Sequence, residues 1–110
     1  MAITNTAIGS VNTPIYTSSG TNAITTVIVC NTAVYDPLNP LTGLTYLYLY
    51  AVPNLSATTD TQLIVNKLPI PAGETVTFDQ EKMILDNGDK LVAKSDSPAN
   101  LVATVSTLAV

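Results

Sequence analysis

The chain has 110 residues, 46% of them hydrophobic and only 11% charged, with a formal net charge of −4, which is material for one hydrophobic core and too little for two. Average soluble domains carry about 25% charged residues, so this surface is either masked by other subunits or kept soluble by Thr, Ser and Asn. Histidine and arginine are absent and Lys67, Lys82, Lys90 and Lys94 are the whole basic complement, which excludes Ser/His/Asp and Cys/His nucleophile pairs and imidazole metal sites and argues against nucleic acid as a partner.

Cys30 is the only cysteine, so no intrachain disulfide or thiolate cluster can form. Within the apolar run 24–30 it is expected to be a small buried hydrophobe. Residues 1–6 lack the basic and apolar regions of a signal peptide, and no apolar run approaches the roughly 18 residues of a membrane helix. A soluble product made inside the cell, with no membrane partner, is expected.

In chain order, residues 1–13 are expected to be a Thr/Asn-rich arm with Ile3, Ile8 and Val11 spaced along it, ordered by docking rather than by its own contacts. Residues 14–110 are expected to form a single β domain. A first strand is predicted at 15–18, followed by a turn at 19–22. The next, 24–31, places Ile24, Ile28 and Cys30 on one face and Thr25, Val27 and Val29 on the other, so it should be central. An inserted loop at 32–43 carries Val34, Tyr35, Leu38 and Leu41 with Pro37 and Pro40. Loops of this length are often functional, and its apolar side chains either pack back on the sandwich or meet a partner.

Residues 44–52 alternate, with Leu47, Leu49 and Ala51 on one face and Tyr46, Tyr48 and Tyr50 on the other. Strands follow at 62–68, ended by Pro69 and Pro71, and at 75–78 with Val76 and Phe78 inward, while 79–82 fits a short strand or a helical turn. Residues 83–85 and 90–94 flank Asp86-Asn87-Gly88-Asp89, a type I′ hairpin signal. Residues 100–108 close the set with Leu101, Ala103 and Val105 on one face. Seven or eight short strands and no helix predict an all-β, antiparallel β-sandwich, with a partly closed β-barrel as the alternative.

Candidate chemistry is sparse. Asp86, Asp89 and Asp96 do not match the spacing of a calcium loop, and Asp79 with Glu81 is a poor pair for glycoside hydrolysis. Gly73 and Gly88 are isolated turn glycines rather than a phosphate loop. No catalytic residue, cofactor or metal is assigned. The tyrosines at 46, 48 and 50 lie about 7 Å apart along one face and either press on a neighbouring subunit or a carbohydrate, or cover their own sheet.

The segment 15–32, IYTSSGTNAITTVIVCNT, and the segment 72–93, AGETVTFDQEKMILDNGDKLVA, resemble small virion structural proteins of tailed bacteriophages, particularly phages of cyanobacteria and marine bacteria. Relative to them, residues 34–43 look like an insertion. The resemblance implies a non-enzymatic, self-associating particle component located in the virion and made in the host cytoplasm. A capsid cement or decoration protein fits first and a tail, baseplate or fibre-associated protein second, with the major capsid protein and further copies of the chain as partners and a trimer as the favoured homo-oligomer. The expected subunit contacts are Ile3, Ile8, Val11, Tyr35, Leu38, Leu41, Tyr46, Tyr48 and Tyr50.

Overall fold

Runs of β-branched and aromatic residues, punctuated by Gly, Pro, Asn and Asp, become nine strands in the computed structural model, which describes residues 2–79, 83–96 and 99–110. They are β1 (Ala2–Ile8), β2 (Thr13–Thr17), β3 (Asn22–Asn31), β4 (Thr45–Val52), β5 (Leu63–Ile70), β6 (Thr75–Phe78), β7 (Met83–Leu85), β8 (Lys90–Ser95) and β9 (Leu101–Ala109), with a single 3₁₀ turn at Asp60–Gln62. One antiparallel sheet has the order β1-β9-β3-β6 with β7 also on β3, and the other has the order β2-β8-β4-β5. Because β6 pairs with Val27 to Cys30 and β7 with Asn22 to Ile24, the two lie end to end and fill one strand position. With β6 and β7 counted as one position, β4–β5 is, among the described residues, the one link between successive strand positions that stays within a sheet, and all others cross, which is the strand order of a jelly roll. The antiparallel sandwich expected from the sequence forms. The barrel alternative does not, since no strand of one sheet pairs with the other among the described residues.

The core lies between the sheets, where Ile15, Val29, Leu47, Leu49, Leu91 and Val105 are almost fully buried. Each such side chain contributes about 1.5–3 kcal/mol on leaving water. Val76 and Phe78 pack against this core, as their alternation predicts.

Several expectations are corrected. Residues 2–8 are not a free arm: β1 pairs with β9 in unbroken register from Ala2↔Thr107 to Ile8↔Leu101, and Ile8 is 2% exposed in the core. Thr and Ile suit a pleated strand, and β9 offers the backbone groups that complete it. In β3 the strict alternation breaks, because Ile24 faces Thr107 while Thr26 faces Ser106, leaving Thr25 as an extra residue. This bulge resets the phase, so Ile24, Val27 and Val29 point inward while Ile28 and Cys30 are only partly buried on the outer face. β5 runs through Pro69 to the buried Ile70, which its position as an edge strand allows. Asp79 follows β6 as irregular chain, and the remainder of segment 79–82 lies outside the described residues.

The turn at 86–89 is not a hairpin. β7 pairs with β3 while β8 pairs with β2 and β4, so the turn carries the chain between sheets. Gly88 is at φ 88 and Asn87 is not among the positive-φ residues. With the Asp89 N–H donating to the Asp86 carbonyl at 3.0 Å, this is the type II pattern rather than type I′. The Asp89 carboxylate holds the corner, accepting from the N–H of Asn54 at 2.8 Å and of Asp86 at 3.0 Å.

A Cβ on Gly43, at φ 81, would lie 2.8 Å from the Ala33 Cβ and 3.2 Å from the Ala72 Cβ, neither of which can swing away, whereas one on Gly20, at φ 75, would meet nothing. Gly43→Ala is therefore expected to cost about 2 kcal/mol or more in urea unfolding, and Gly20→Ala only the backbone cost of about 1 kcal/mol.

Candidate interaction surface

Four connections gather at one end of the sandwich. The Gly9 carbonyl after β1 accepts from Ser95 N–H, Thr32 N–H donates to the Asn100 carbonyl, Gly73 N–H donates to the Asn31 carbonyl, and Asp96 N–H donates to the Tyr46 carbonyl. The β1–β2, β3–β4 and β5–β6 connections and the residues flanking β8 and β9 thus form one contiguous end. Val11, Val34, Tyr35, Leu38 and Leu41 sit in these loops, and all are exposed, Val34 at 89% and Leu38 at 88%. Of the two readings of the 32–43 loop, packing back on its own sandwich is not what these side chains do.

The loop is nevertheless locked at its base. Asn31 is buried, and its Nδ2 donates to the carbonyls of Gly43 at 2.7 Å and Ile70 at 2.8 Å, while its Oδ1 accepts from Ala33 N–H at 2.9 Å. One side chain therefore ties both ends of the loop to the end of β5. Gly43, at φ 81, brings its backbone so close that a Cβ would lie 2.8 Å from that of Ala33. Within the loop, Asp36 Oδ1 accepts from Leu38 N–H at 2.9 Å and the Asp36 carbonyl accepts from Asn39 N–H, an Asx turn followed by a β-turn. An open groove of about 630 Å³ separates the loop from the next turn, lined by Tyr35, Pro40, Leu41, Pro71, Ala72, Gly73 and Glu74.

The tyrosine row behaves differently. Leu47 and Leu49 point into the core and Tyr46, Tyr48 and Tyr50 outward, as expected, but the outer face has a small cluster of its own. Tyr50, 4% exposed, packs there with Val52 and Val92. Tyr50 and Ile8 are thus interior residues of this chain rather than surface contacts, because neighbours in the fold cover both. Lys94 Nζ lies 4.7 Å from the centre of the Tyr48 ring and Lys67 Nζ 5.2 Å from that of Tyr46, cation–π contacts that already occupy the ring faces. Lys67 reaches this place from a bulge at φ 57 in β5, where the register shifts between Leu47 and Leu49. Burial, and then the Asp96 carboxylate that accepts from the Tyr48 hydroxyl at 3.4 Å, push the Tyr48 pKa above 10.0.

Ile3 is exposed on β1, away from the loop-bearing end. Sequence alternation alone did not single out Leu55, Ile84 and Leu108, which are exposed as well. Leu55 holds φ 64 at the tip of a turn closed by Ser56 N–H on the Pro53 carbonyl, a position that favours glycine. No group of three or more His, Cys, Asp or Glu side chains able to hold a metal occurs among the described residues, and no helix among them is long and apolar enough to cross a membrane. Glu81, the second half of the proposed carboxylate pair, lies outside the described residues. Comparison with protein-family models, with curated proteins and with solved structures gives no match to this chain.

Two outcomes are expected from this surface. Asn31→Ala strips the Gly43 and Ile70 carbonyls of their donor and should lower stability by about 2–3 kcal/mol, measured by chemical unfolding, with Asn31→Asp at least as damaging because a carboxylate cannot donate. Asp96→Asn removes the negative charge beside Tyr48. In an ultraviolet pH titration Tyr48 should then ionise at lower pH than in the parent chain.

Proposed function

We propose that the chain is a bacteriophage virion structural protein, a capsid cement or decoration protein that seats on the shell through its loop-bearing end and bridges capsid subunits. The observation that carries this reading is the set of exposed aliphatic side chains Val34, Leu38 and Leu41 on a loop whose base is already fixed by Asn31. A preordered apolar loop binds without a large ordering cost. The resemblance of segments 15–32 and 72–93 to phage virion proteins supports the same reading. The jelly-roll order supports it by analogy, since that architecture includes viral capsid domains, although a fold alone assigns no function.

Val34, Leu38 and Leu41 carry no charge, so burying them gains mainly the hydrophobic term of about 25 cal/mol per Å² before association costs, and attachment through them should be weakly screened by salt, with Asp36, Glu74 and Asp96 as the carboxylates of the same end.

Particles lacking the protein are expected to assemble but to release packaged DNA at lower temperature in a dye-release assay. Purified protein should restore the parent transition and resist stripping by high salt, whereas a Leu38→Asp/Leu41→Asp variant should bind at least about tenfold more weakly. Equal thermal stability with and without the protein overturns the cement reading, and a low copy number per particle places the chain in the tail.

A further inference from the structure

Among the described residues, four strand positions border the two sheets, and three of them are blunted. β2 has Pro14 and a bulge between Pro14 and Tyr16, β5 has two register shifts, Pro69 and the positive-φ Lys67, and the β6/β7 position is broken into strands of four and three residues. Prolines, bulges, lysines and short length are the devices by which proteins prevent edge pairing. β1 has none of them: its seven residues, AITNTAI, contain no charge and no proline, and its register with β9 is unbroken.

The direction of its unused backbone groups follows from the ladder. Thr32 N–H donates to the Asn100 carbonyl, which extends the β3–β9 register. Since hydrogen-bonding direction alternates along a strand, Val102, Thr104 and Ser106 bond toward β3 and Leu101, Ala103, Val105 and Thr107 bond toward β1. Their partners on β1 are Ile8, Thr6, Thr4 and Ala2. Ile3, Asn5 and Ala7 therefore direct their N–H and C=O groups away from the sheet, among the described residues toward no other strand.

We propose that β1 is a strand-pairing edge and that its occupant is β1 of a second copy, antiparallel about a two-fold axis at Asn5. This register sets Asn5 opposite Asn5 and Ile3 opposite Ala7 in both directions, so each of three facing pairs is closed by two N–H···O bonds. It sets Thr4 opposite Thr6 on the inner face. Large meets small, no like charges face one another, and the exposed Ile3 side chain, 67% accessible, gains cover from the partner's Ala7. A two-fold closes the contact, using the same edge of both copies at once, so it replaces the trimer expected from the sequence. The outward residues of the joined sheets, including Thr104, Ser106, Ile28 and Thr77, are uncharged, so the pairing would extend a continuous uncharged face. The pairing is a property of this edge and is independent of any seat on a shell.

The test uses the full chain in sedimentation and light scattering over a concentration series. The parent should be dimeric. Asn5→Lys and Asn5→Asp should each be monomeric, since like charges then meet at the axis, while an equimolar mixture of the two should recover the dimer. Ala7→Pro removes an outward N–H that β9 does not use and should also abolish the dimer while unfolding at the temperature of the monomeric Asn5→Lys chain, whereas Thr6→Pro breaks the β9 ladder and should unfold below it. Amide exchange at Ile3, Asn5 and Ala7 should slow as concentration rises, a readout that does not depend on any variant folding. A parent chain monomeric at every concentration, a trimer, or a dimer that survives both Asn5→Lys and Ala7→Pro overturns the proposal.

Discussion

Every strand of this sandwich must keep one face dry while the chain passes from sheet to sheet, and this demand for a consistent inward phase shapes the rest of the molecule. Side-chain direction has a strict period of two, so a strand whose sequence drifts out of phase must insert a residue. The bulge in β3 does this, bringing Val27 and Val29 to the same inward face as Ile24. The register shift in β5 opposite Leu47 and Leu49 does it as well, and there Lys67 holds φ 57 with its ammonium 5.2 Å from the centre of the Tyr46 ring.

Crossing between sheets leaves backbone carbonyls at the corners without a ladder partner, and the buried Ser18, Asn31, Thr45 and Ser95 stand at these corners, while the buried Thr107 lies within β9. Ser18 Oγ donates to the Gly20 carbonyl at 2.7 Å, Ser95 Oγ to the Gly9 carbonyl at 3.1 Å, and Asn31 to two carbonyls. No buried side-chain polar atom is left unpartnered among the described residues. That satisfaction lets uncharged polar residues sit in an interior where each unmet group costs about 1–3 kcal/mol. It also fixes the loop-bearing end, since the donor that closes the β3 corner is the one that pins the 32–43 loop.

The scarcity of charge is distributed unevenly. The outer face of the β2-β8-β4-β5 sheet holds Lys67 and Lys94 over tyrosine rings and Asp96 against a phenol, so this face is covered by its own side chains. The other sheet's outer face, its β1 edge and the loop end have no such cover. The surface available for contact therefore joins an uncharged sheet face and edge to a loop end that carries the carboxylates of Asp36, Glu74 and Asp96, while the tyrosine row, the most conspicuous pattern in the sequence, is largely occupied internally.

Period-two alternation in residues 44–52 and 100–108, with turn residues between strands, determined an all-β antiparallel fold and set Leu47 with Leu49, and Leu101 with Ala103 and Val105, on common strand faces, because those signals are local, while the choice of sandwich over barrel rested on which strands pair. The apolar loop 32–43 was legible as a break in the strand rhythm, but whether Val34, Leu38 and Leu41 pack back on the sandwich or face outward was left open by the sequence, and the fold exposes them. Only the tertiary structure decided the rest. That Asn87-Gly88 turns between sheets rather than within one depends on β3 and β2 being the partners of β7 and β8, and pairing over such distances leaves no mark on the turn itself. That residues 2–8 form a strand and bury Ile8 depends on β9 having an open edge nearly a hundred residues later. Thr and Asn are compatible with arm and strand alike, and the choice falls to whichever backbone partner the completed fold provides.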